Sequence, residues 1–197
     1  MKHLIIYSNP DKKSFSHDIR EFIRDYSIRN GHQVEVRDLY EIGFNPVLGL
    51  NELEKLDRGE TCPDVRREQE YLDWADLVTF IYPIWWEIPA MMKGYFDRVF
   101  AYDYAYTYTS KGPKGLLPHK PVFRFNPMGT PREVYEENGL RQAYEKAIDK
   151  GIIESTGMRV VKSKLFGSSP RDDHALKERY LDEIREIIEI ELASKDD

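Results

Sequence analysis

Residues 77–82 read LVTFIY, a run that is apolar at nearly every position. An unbroken apolar run of this length is typical of a central parallel strand, because such a strand is covered on both faces. Four further segments predict strands: Lys2–Ser8, Gln33–Asp38, Pro121–Phe125 and Met158–Leu165. The sequence therefore predicts five strands, with residues 77–82 inside the sheet.

Helical patterns separate these strands. Apolar residues recur at helical spacing from Phe15 to Tyr26, and Gly31 follows as a stop. Four further helices are expected: from Asp64 as a cap to about Trp74, from Pro89 in a first turn to Phe100, over Leu140–Lys150 closed by Gly151, and through Leu181, Ile184, Ile188 and Leu192. This alternation predicts a single α/β domain over residues 1–197. Five strands favour a doubly wound parallel sheet of flavodoxin-like order 2-1-3-4-5, with helices on both faces.

Composition, charge and residue spacing argue against several classes of function. The chain has 197 residues and a net charge of −6, and without a long basic run we expect no nucleic-acid partner. The lone Cys62 cannot form an internal disulfide, which fits a reducing, cytoplasmic compartment. The longest apolar stretch, Leu77–Trp86, falls well below the ~20 residues of a membrane span, so none is expected. The histidines show no metal-ligand spacing, so we expect no metal site.

In a sheet of this kind, ligands bind at the carboxyl ends of the strands. The first such loop, residues 8–16, reads SNPDKKSFS and leads into the N-terminus of a helix, which suits a phosphate. Asn9, Ser14 and Ser16 can add hydrogen bonds, and Lys12 or Lys13 can add positive charge. The loop lacks both the dinucleotide and the P-loop glycine motifs. The alternative is an ordinary strand-to-helix turn with Ser14 as N-cap.

Two further loops reach the same edge. Residues 82–89, YPIWWEIP, place two tryptophans between two prolines, where a flat ring system can stack beside main-chain N–H groups. The alternative is a pair of core or dimer-interface tryptophans. Residues 126–131, NPMGTP, contain Gly129, which permits close approach of a ligand, although a simple turn is the alternative.

Two connections, Leu39–Pro63 and Ala101–Lys120, are long enough to be functional or to cover another part of the molecule. The second contains tyrosine at every other position from 102 to 108. On a strand these rings would line one face and form a wall over a planar substrate. A tyrosine-rich dimer contact is the alternative.

Residues 82–100, YPIWWEIPAMMKGYFDRVF, resemble the NAD(P)H:quinone oxidoreductases of flavodoxin-like fold. The segments IIYSNPDKKSFS and AYDYAYTYTSKGP are similar to that family as well, and the resemblance covers nearly the whole chain. The family includes bacterial general-stress and drug-activity modulator proteins. It also includes ancillary subunits of glutathione-gated potassium efflux systems.

The resemblance implies a site for a non-covalent flavin, FAD or FMN. Three groups of residues would contact the flavin: Asn9, Ser14, Phe15 and Ser16 at the phosphate and ribityl chain, Pro83, Ile84, Trp85 and Trp86 at the isoalloxazine, and Asn126, Met128 and Gly129 at the ring edge. Tyr135 resembles the catalytic tyrosine that bonds the flavin edge. Tyr104, Tyr106 and Tyr108 resemble substrate-binding tyrosines, usually contributed across a homodimer.

The chain also departs from that family. Asn9 stands where histidine is usual, Arg141 lies near the place of another histidine, and residues 126–129 replace the usual T-T-G-G. Pro127 removes one backbone donor.

The function implied is transfer of a hydride from NADH or NADPH to a quinone or similar small electrophile by a ping-pong mechanism. One alternative is a regulatory subunit that docks on a membrane transporter. Another is a one-electron carrier, which would not need the tyrosine wall.

Overall fold

The computed structural model describes residues 1–118, 120–170 and 173–193. The strands are Lys2–Tyr7 (β1), Gln33–Asp38 (β2), Leu77–Ile81 (β3), Tyr106–Thr109 (β4), Gly112–Gly115 (β5), Pro121–Pro127 (β6) and Arg159–Phe166 (β7). The α-helices are Phe15–Arg29 (α1), Leu50–Asp57 (α2), Pro63–Trp74 (α3), Ala90–Val99 (α4), Arg132–Glu137 (α5), Leu140–Glu145 (α6) and His174–Ala193 (α7). A π-helix over Lys146–Ile153 and a 3₁₀ turn over Glu154–Thr156 follow α6.

The central sheet has five parallel strands in the order β2-β1-β3-β6-β7, which confirms the predicted order 2-1-3-4-5. β1 and β3 lie side by side, with Leu4 opposite Val78. The chain winds outward from this pair in both directions. The crevice between the carboxyl ends of β1 and β3 is therefore the switch point, where such folds bind ligands.

Apolar cores cover both faces of the sheet. Val78 and Phe80 of β3 belong to the core on the α4 side, whereas Leu77 and Ile81 face the core formed with α1 and α7. Every residue of β3 is buried, as the unbroken apolar run predicts. Each fully buried apolar side chain contributes roughly 1.5–3 kcal/mol to stability.

Three predicted helix boundaries were wrong, the smallest error being at α4, where Pro89 is the N-cap and does not lie in the first turn. The N-cap of α3 is Cys62, not Asp64, because Pro63 takes the first helical position, where its missing N–H costs nothing. Gly151 does not close the fourth predicted helix, since it lies inside the π-helix that continues α6. The predicted stop at Gly31 is confirmed, because this glycine follows the C-cap of α1 with φ +78°.

The two long connections form elements that the sequence did not predict. The first contains α2 and packs on α4 through Arg98, whose guanidinium donates to Glu52 at 2.8 Å, to Asp64 at 2.7 Å and to the Asn45 carbonyl at 2.7 Å. This connection therefore covers α4. The second forms the antiparallel hairpin β4–β5.

Within the described ranges, no helix combines the length and the apolar character that crossing a membrane requires.

Candidate active site

A cleft of about 190 Å³ lies at the carboxyl ends of β1, β3, β6 and β7. It is lined by residues from four loops: Asn9, Asp11, Ser14, Phe15, Ser16, Pro83, Ile84, Trp85, Pro127, Met128, Gly129 and Ser169. The structure thus brings together the three loops that the sequence singled out. A further loop, which follows β7, joins them. The loops after β1, β3 and β6 are called the first, third and fourth loops, by the place of each strand among the strands of the central sheet in chain order.

The first loop presents the N-terminus of α1 to the cleft. Ser14 is the N-cap, and its Oγ accepts a hydrogen bond from the His17 N–H at 3.3 Å. Asn9 holds the loop closed: its Oδ1 accepts from the Asp11 N–H at 3.0 Å and its Nδ2 donates to Ser16 Oγ at 3.3 Å. The first-turn amide of Phe15 has no partner within the helix, so it remains available to an anion in the cleft.

The lysines of this loop do not line the cleft. Lys12 points instead toward Glu41, with its Nζ 4.0 Å from the carboxylate. The charged side chain on the cleft wall is Asp11. Attraction of an anion therefore rests on the helix terminus and on neutral hydrogen-bond donors.

The third and fourth loops are joined by the hydrogen-bonding pattern of the sheet itself. The Ile84 N–H donates to the Pro127 carbonyl at 2.8 Å, and Ile84 pairs with Met128 as parallel strand residues do. The Met128 N–H donates in turn to the Phe166 carbonyl at 2.9 Å. The floor of the cleft is therefore a continuation of β3, β6 and β7.

The two tryptophans differ in position. Trp85 lines the cleft and is 54% exposed, whereas Trp86 does not line it and is 97% exposed. Glu87 follows in the left-handed region with φ +66°, a conformation that costs a non-glycine residue energy and is concentrated at functional sites.

Tyr135 does not line the cleft and packs partly buried against the core on the α4 side. Burial, followed by the nearby Glu87 carboxylate, raises the pKa of Tyr135 above its usual value. Its hydroxyl therefore stays protonated at neutral pH and can donate a hydrogen bond.

Asn126 does not present its side chain to the cleft. It is fully buried, its Oδ1 accepts from Arg124, and its Nδ2 donates to the Tyr82 carbonyl at 2.8 Å. Both polar atoms are thus used inside the protein. This placement does not agree with the predicted direct contact between the Asn126 side chain and a flavin.

Gly129 provides a test of whether the cleft fits a bulky ligand. A β-carbon at this position would meet no atom within 4 Å. Gly129 is exposed and lines the cleft, so no protein atom covers its main chain there. The absence of a side chain here thus leaves room for a ligand to approach the main chain. The helix terminus, the neutral donors and this space suit a phosphorylated planar group such as a flavin.

The three predicted substrate tyrosines separate. Tyr106 and Tyr108 pack edge to face, with ring centroids 5.7 Å apart, and Tyr102 joins them. Tyr104 does not share this face: it lies in a turn before β4, and its hydroxyl donates to the Gln69 carbonyl at 2.9 Å. The expectation of one common face was therefore wrong for Tyr104. None of these tyrosines lines the cleft of its own chain.

Sequence reasoning missed Ser169, which lines the cleft from the loop after β7. Its N–H donates to the Met128 carbonyl at 2.9 Å. The signal was present, because the loop after the fifth strand must reach the same sheet edge as the others.

The family model for the flavodoxin-like fold matches residues 1–188. An uncharacterised NAD(P)H oxidoreductase of Haemophilus influenzae is 36% identical over 169 residues, which cover 85% of this chain and 84% of that protein. NAD(P)H dehydrogenase [quinone] 1 of Rattus norvegicus is 28% identical over 193 residues, covering 86% of this chain and 70% of that one.

A solved structure, the NAD(P)H:quinone oxidoreductase from Methanothermobacter marburgensis, superimposes with a TM-score of 0.83 at 29% identity. The match covers 94% of this chain and 96% of that one. By its sheet order, the place of its cleft and these relatives, the chain is an oxidoreductase that belongs to the flavodoxin-like NAD(P)H:quinone oxidoreductase family.

Proposed function

We propose that this chain binds a flavin without a covalent bond and transfers a hydride from NADH or NADPH to a quinone or similar small electrophile. The observation that carries the proposal is the convergence of the α1 N-terminus with the loops after β3 and β6 on one cleft. Relatives named as NAD(P)H and quinone oxidoreductases support the same reaction class.

The residues of the first loop would hold the phosphate. Ser14 and Ser16 offer hydroxyl groups, and the first-turn N–H groups of α1 offer backbone donors with the positive end of the helix dipole behind them. Asn9 would hold the shape of the loop, because both its side-chain groups already bond within it.

The residues of the third and fourth loops would orient the ring. Pro83, Ile84 and Trp85 line the cleft from the third loop, and Met128 and Gly129 line it beside them from the fourth. A bound flavin supplies the two-electron chemistry, so the protein needs no nucleophile of its own. By its resemblance to the family's tyrosine, the protonated Tyr135 would supply a hydrogen-bond donor that stabilises developing negative charge, and the ring would extend beyond the 190 Å³ cleft to reach it. One cleft that serves nucleotide and acceptor in turn implies ping-pong kinetics.

We further propose a homodimer. The cleft, at about 190 Å³, is smaller than the roughly 300–1,000 Å³ typical of ligand pockets, so it encloses only part of a flavin. Trp86, beside it, is 97% exposed, and the Tyr106–Tyr108 pair lies away from the cleft of its own chain. A second copy that places its β4–β5 hairpin over this cleft would cover Trp86 of one chain with Tyr106 and Tyr108 of the other.

The test is titration of the purified protein with FMN and with FAD, followed by visible absorbance. We expect one of the two to bind with micromolar or tighter affinity and to support benzoquinone reduction by NADH or NADPH. Absence of binding by both at micromolar concentration would overturn the proposal. Slow turnover by a protein that sediments with membranes would favour the regulatory subunit instead.

A further inference from the structure

A buried ion pair joins β6 to the π-helix. Arg124 of β6 is fully buried, and its guanidinium donates to both carboxylate oxygens of Asp149, at 2.6 Å from Nε and 3.1 Å from Nη2. Asp149 belongs to the π-helix, and its side chain is 10% exposed. The guanidinium also lies over the ring of Tyr144, 5.0 Å from its centroid.

The pair connects to the cleft through one side chain. Arg124 Nη1 donates to Asn126 Oδ1, and Asn126 Nδ2 donates to the Tyr82 carbonyl at 2.8 Å. Tyr82 immediately precedes Pro83, the first residue of the third loop in the cleft. A chain of four side-chain hydrogen bonds thus runs from the π-helix to the main chain of that loop.

Stability alone does not explain this pair. Arg124 points to the same face of β6 as Val122, which belongs to the apolar core on the α4 side. Replacing a buried ion pair with apolar side chains of similar volume is often neutral or stabilising, because both charges lose their hydration when they are buried. A role beyond stability is therefore to be sought in what the pair holds.

The chemistry of Arg124 fixes the orientation of Asn126. A guanidinium is a donor only, so it must meet the oxygen of the Asn126 amide, which leaves the NH₂ group toward the Tyr82 carbonyl. The two-pronged contact with Asp149 fixes the guanidinium in turn.

The third loop is consequently held on both sides of Pro83. The Tyr82 carbonyl is held by Asn126, and the Ile84 N–H is held by the Pro127 carbonyl at 2.8 Å. Pro83 itself has no N–H to contribute. The Asn126 side chain thus has a partner in the third loop, whereas the Pro127 contact uses a backbone carbonyl that any residue would supply.

We propose that Arg124 and Asp149 are positioning residues for the flavin, acting through Asn126 on the main chain at Tyr82 and Pro83. This inference rests on the proposed flavin site. It assigns to the buried pair the alignment of the cleft wall formed by Pro83, Ile84 and Trp85.

Two variants test it. Asn126→Asp keeps the shape and the acceptor for Arg124 but cannot donate to the Tyr82 carbonyl. The double variant Arg124→Leu with Asp149→Leu removes the charges together. The matched control is Arg37→Leu with Glu68→Leu, another buried ion pair, with 2.5 Å between Nη2 and Oε1, that connects β2 to α3 away from the cleft.

Three measurements are made on each: the Kd for FMN or FAD, whichever the unaltered protein binds, thermal unfolding without flavin, and amide hydrogen exchange over residues 82–88 without flavin. We expect both test variants to weaken flavin binding by about tenfold, the effect of losing one well-placed hydrogen bond to the loop. The segment 82–88 should exchange faster in both. The control should change the Kd by less than about twofold.

A double variant with unchanged flavin affinity and unchanged exchange would overturn the inference, as would the same result for Asn126→Asp if the double variant does not fold. Exchange is measured without flavin, so the two proposals can fail separately. An unaltered protein that binds no flavin refutes the proposed function, while faster exchange in the variants still supports the positioning of the loop.

Discussion

The Pro46 carbonyl oxygen lies only 2.1 Å from the point where a β-carbon on Gly94 would stand, and Pro46 Cα lies 2.5 Å from it. The connection between β2 and α3 therefore passes over α4 in direct contact of main chain with main chain. Arg98, one turn further along α4, holds the same connection by hydrogen bonds to the Glu52 carboxylate and the Asn45 carbonyl, and it also donates to Asp64 of α3.

Gly94→Ala is expected to lower the free energy of unfolding by about 3 kcal/mol, because the added methyl group meets main chain that cannot turn aside. Chemical denaturation by urea measures the change. Gly151→Ala is the control, since Gly151 also lies inside a helix and a β-carbon there would meet only the Lys146 carbonyl oxygen at an ordinary 3.7 Å. Equal stability of the two variants would show that the connection moves away from α4 at little cost.

His3 predicts a pH dependence of stability. It is fully buried between Ser27 Oγ at 2.9 Å and Thr79 Oγ1 at 2.7 Å, and burial, followed by repulsion from His32, lowers its pKa to about 3. Between pH 6.5 and about 3 the unfolded chain binds a proton on His3 that the folded chain does not. The contribution of His3 is therefore complete above pH 6.5 and falls by about 1.4 kcal/mol per pH unit below it.

Urea denaturation at pH 7 and at pH 5 measures this slope. His3→Gln should flatten it, whereas His174→Gln, at an exposed position, should leave it unchanged. An unaltered slope in His3→Gln would mean that other groups produce the acid sensitivity.

Gly129→Val should weaken flavin binding by about a hundredfold, because a branched side chain fills the space that a ligand would use, while stability changes by less than about 0.5 kcal/mol. Gly49→Val is the matched control, as both positions have open space around the β-carbon. Flavin titration and urea denaturation of both variants provide the measurements. Unchanged affinity in Gly129→Val would place the ligand elsewhere.

Ser14→Ala removes an N-cap and a hydroxyl of the cleft at the same time. We expect a loss of about 1 kcal/mol in stability from the cap. If the first loop holds phosphate, the variant should lose more affinity for FMN than for riboflavin, which has no phosphate. An equal loss of affinity for both ligands would show that this loop does not hold the phosphate.

Local signals predicted the frame of the fold. The apolar run at residues 77–82 produces the buried strand β3, and Gly31 ends α1, because both features depend on neighbours in sequence. The carboxyl-end rule then placed three loops at one edge, and all three line the cleft.

Partners distant in sequence decided the rest. Tyr104 turns toward α3 because the Gln69 carbonyl and the Asp73 carboxylate are both within hydrogen-bond distance of its hydroxyl. Asn126 turns inward because Arg124 meets its oxygen, and Arg124 is itself held by Asp149. The contacts of Tyr104 with Gln69 and of Arg124 with Asp149 span 35 and 25 residues, so a reading along the chain cannot find them.

The cleft floor is the last rung of the sheet, since Ile84 pairs with Met128 and Met128 bonds to Phe166. Unfolding of the sheet must therefore release any ligand held there, and a ligand at a hundred times its Kd makes unfolding about 2.7 kcal/mol harder. Cellular proteases cleave protein chains that have unfolded. The supply of vitamin-derived flavin would then govern how long each copy of the protein survives, as well as whether it is active.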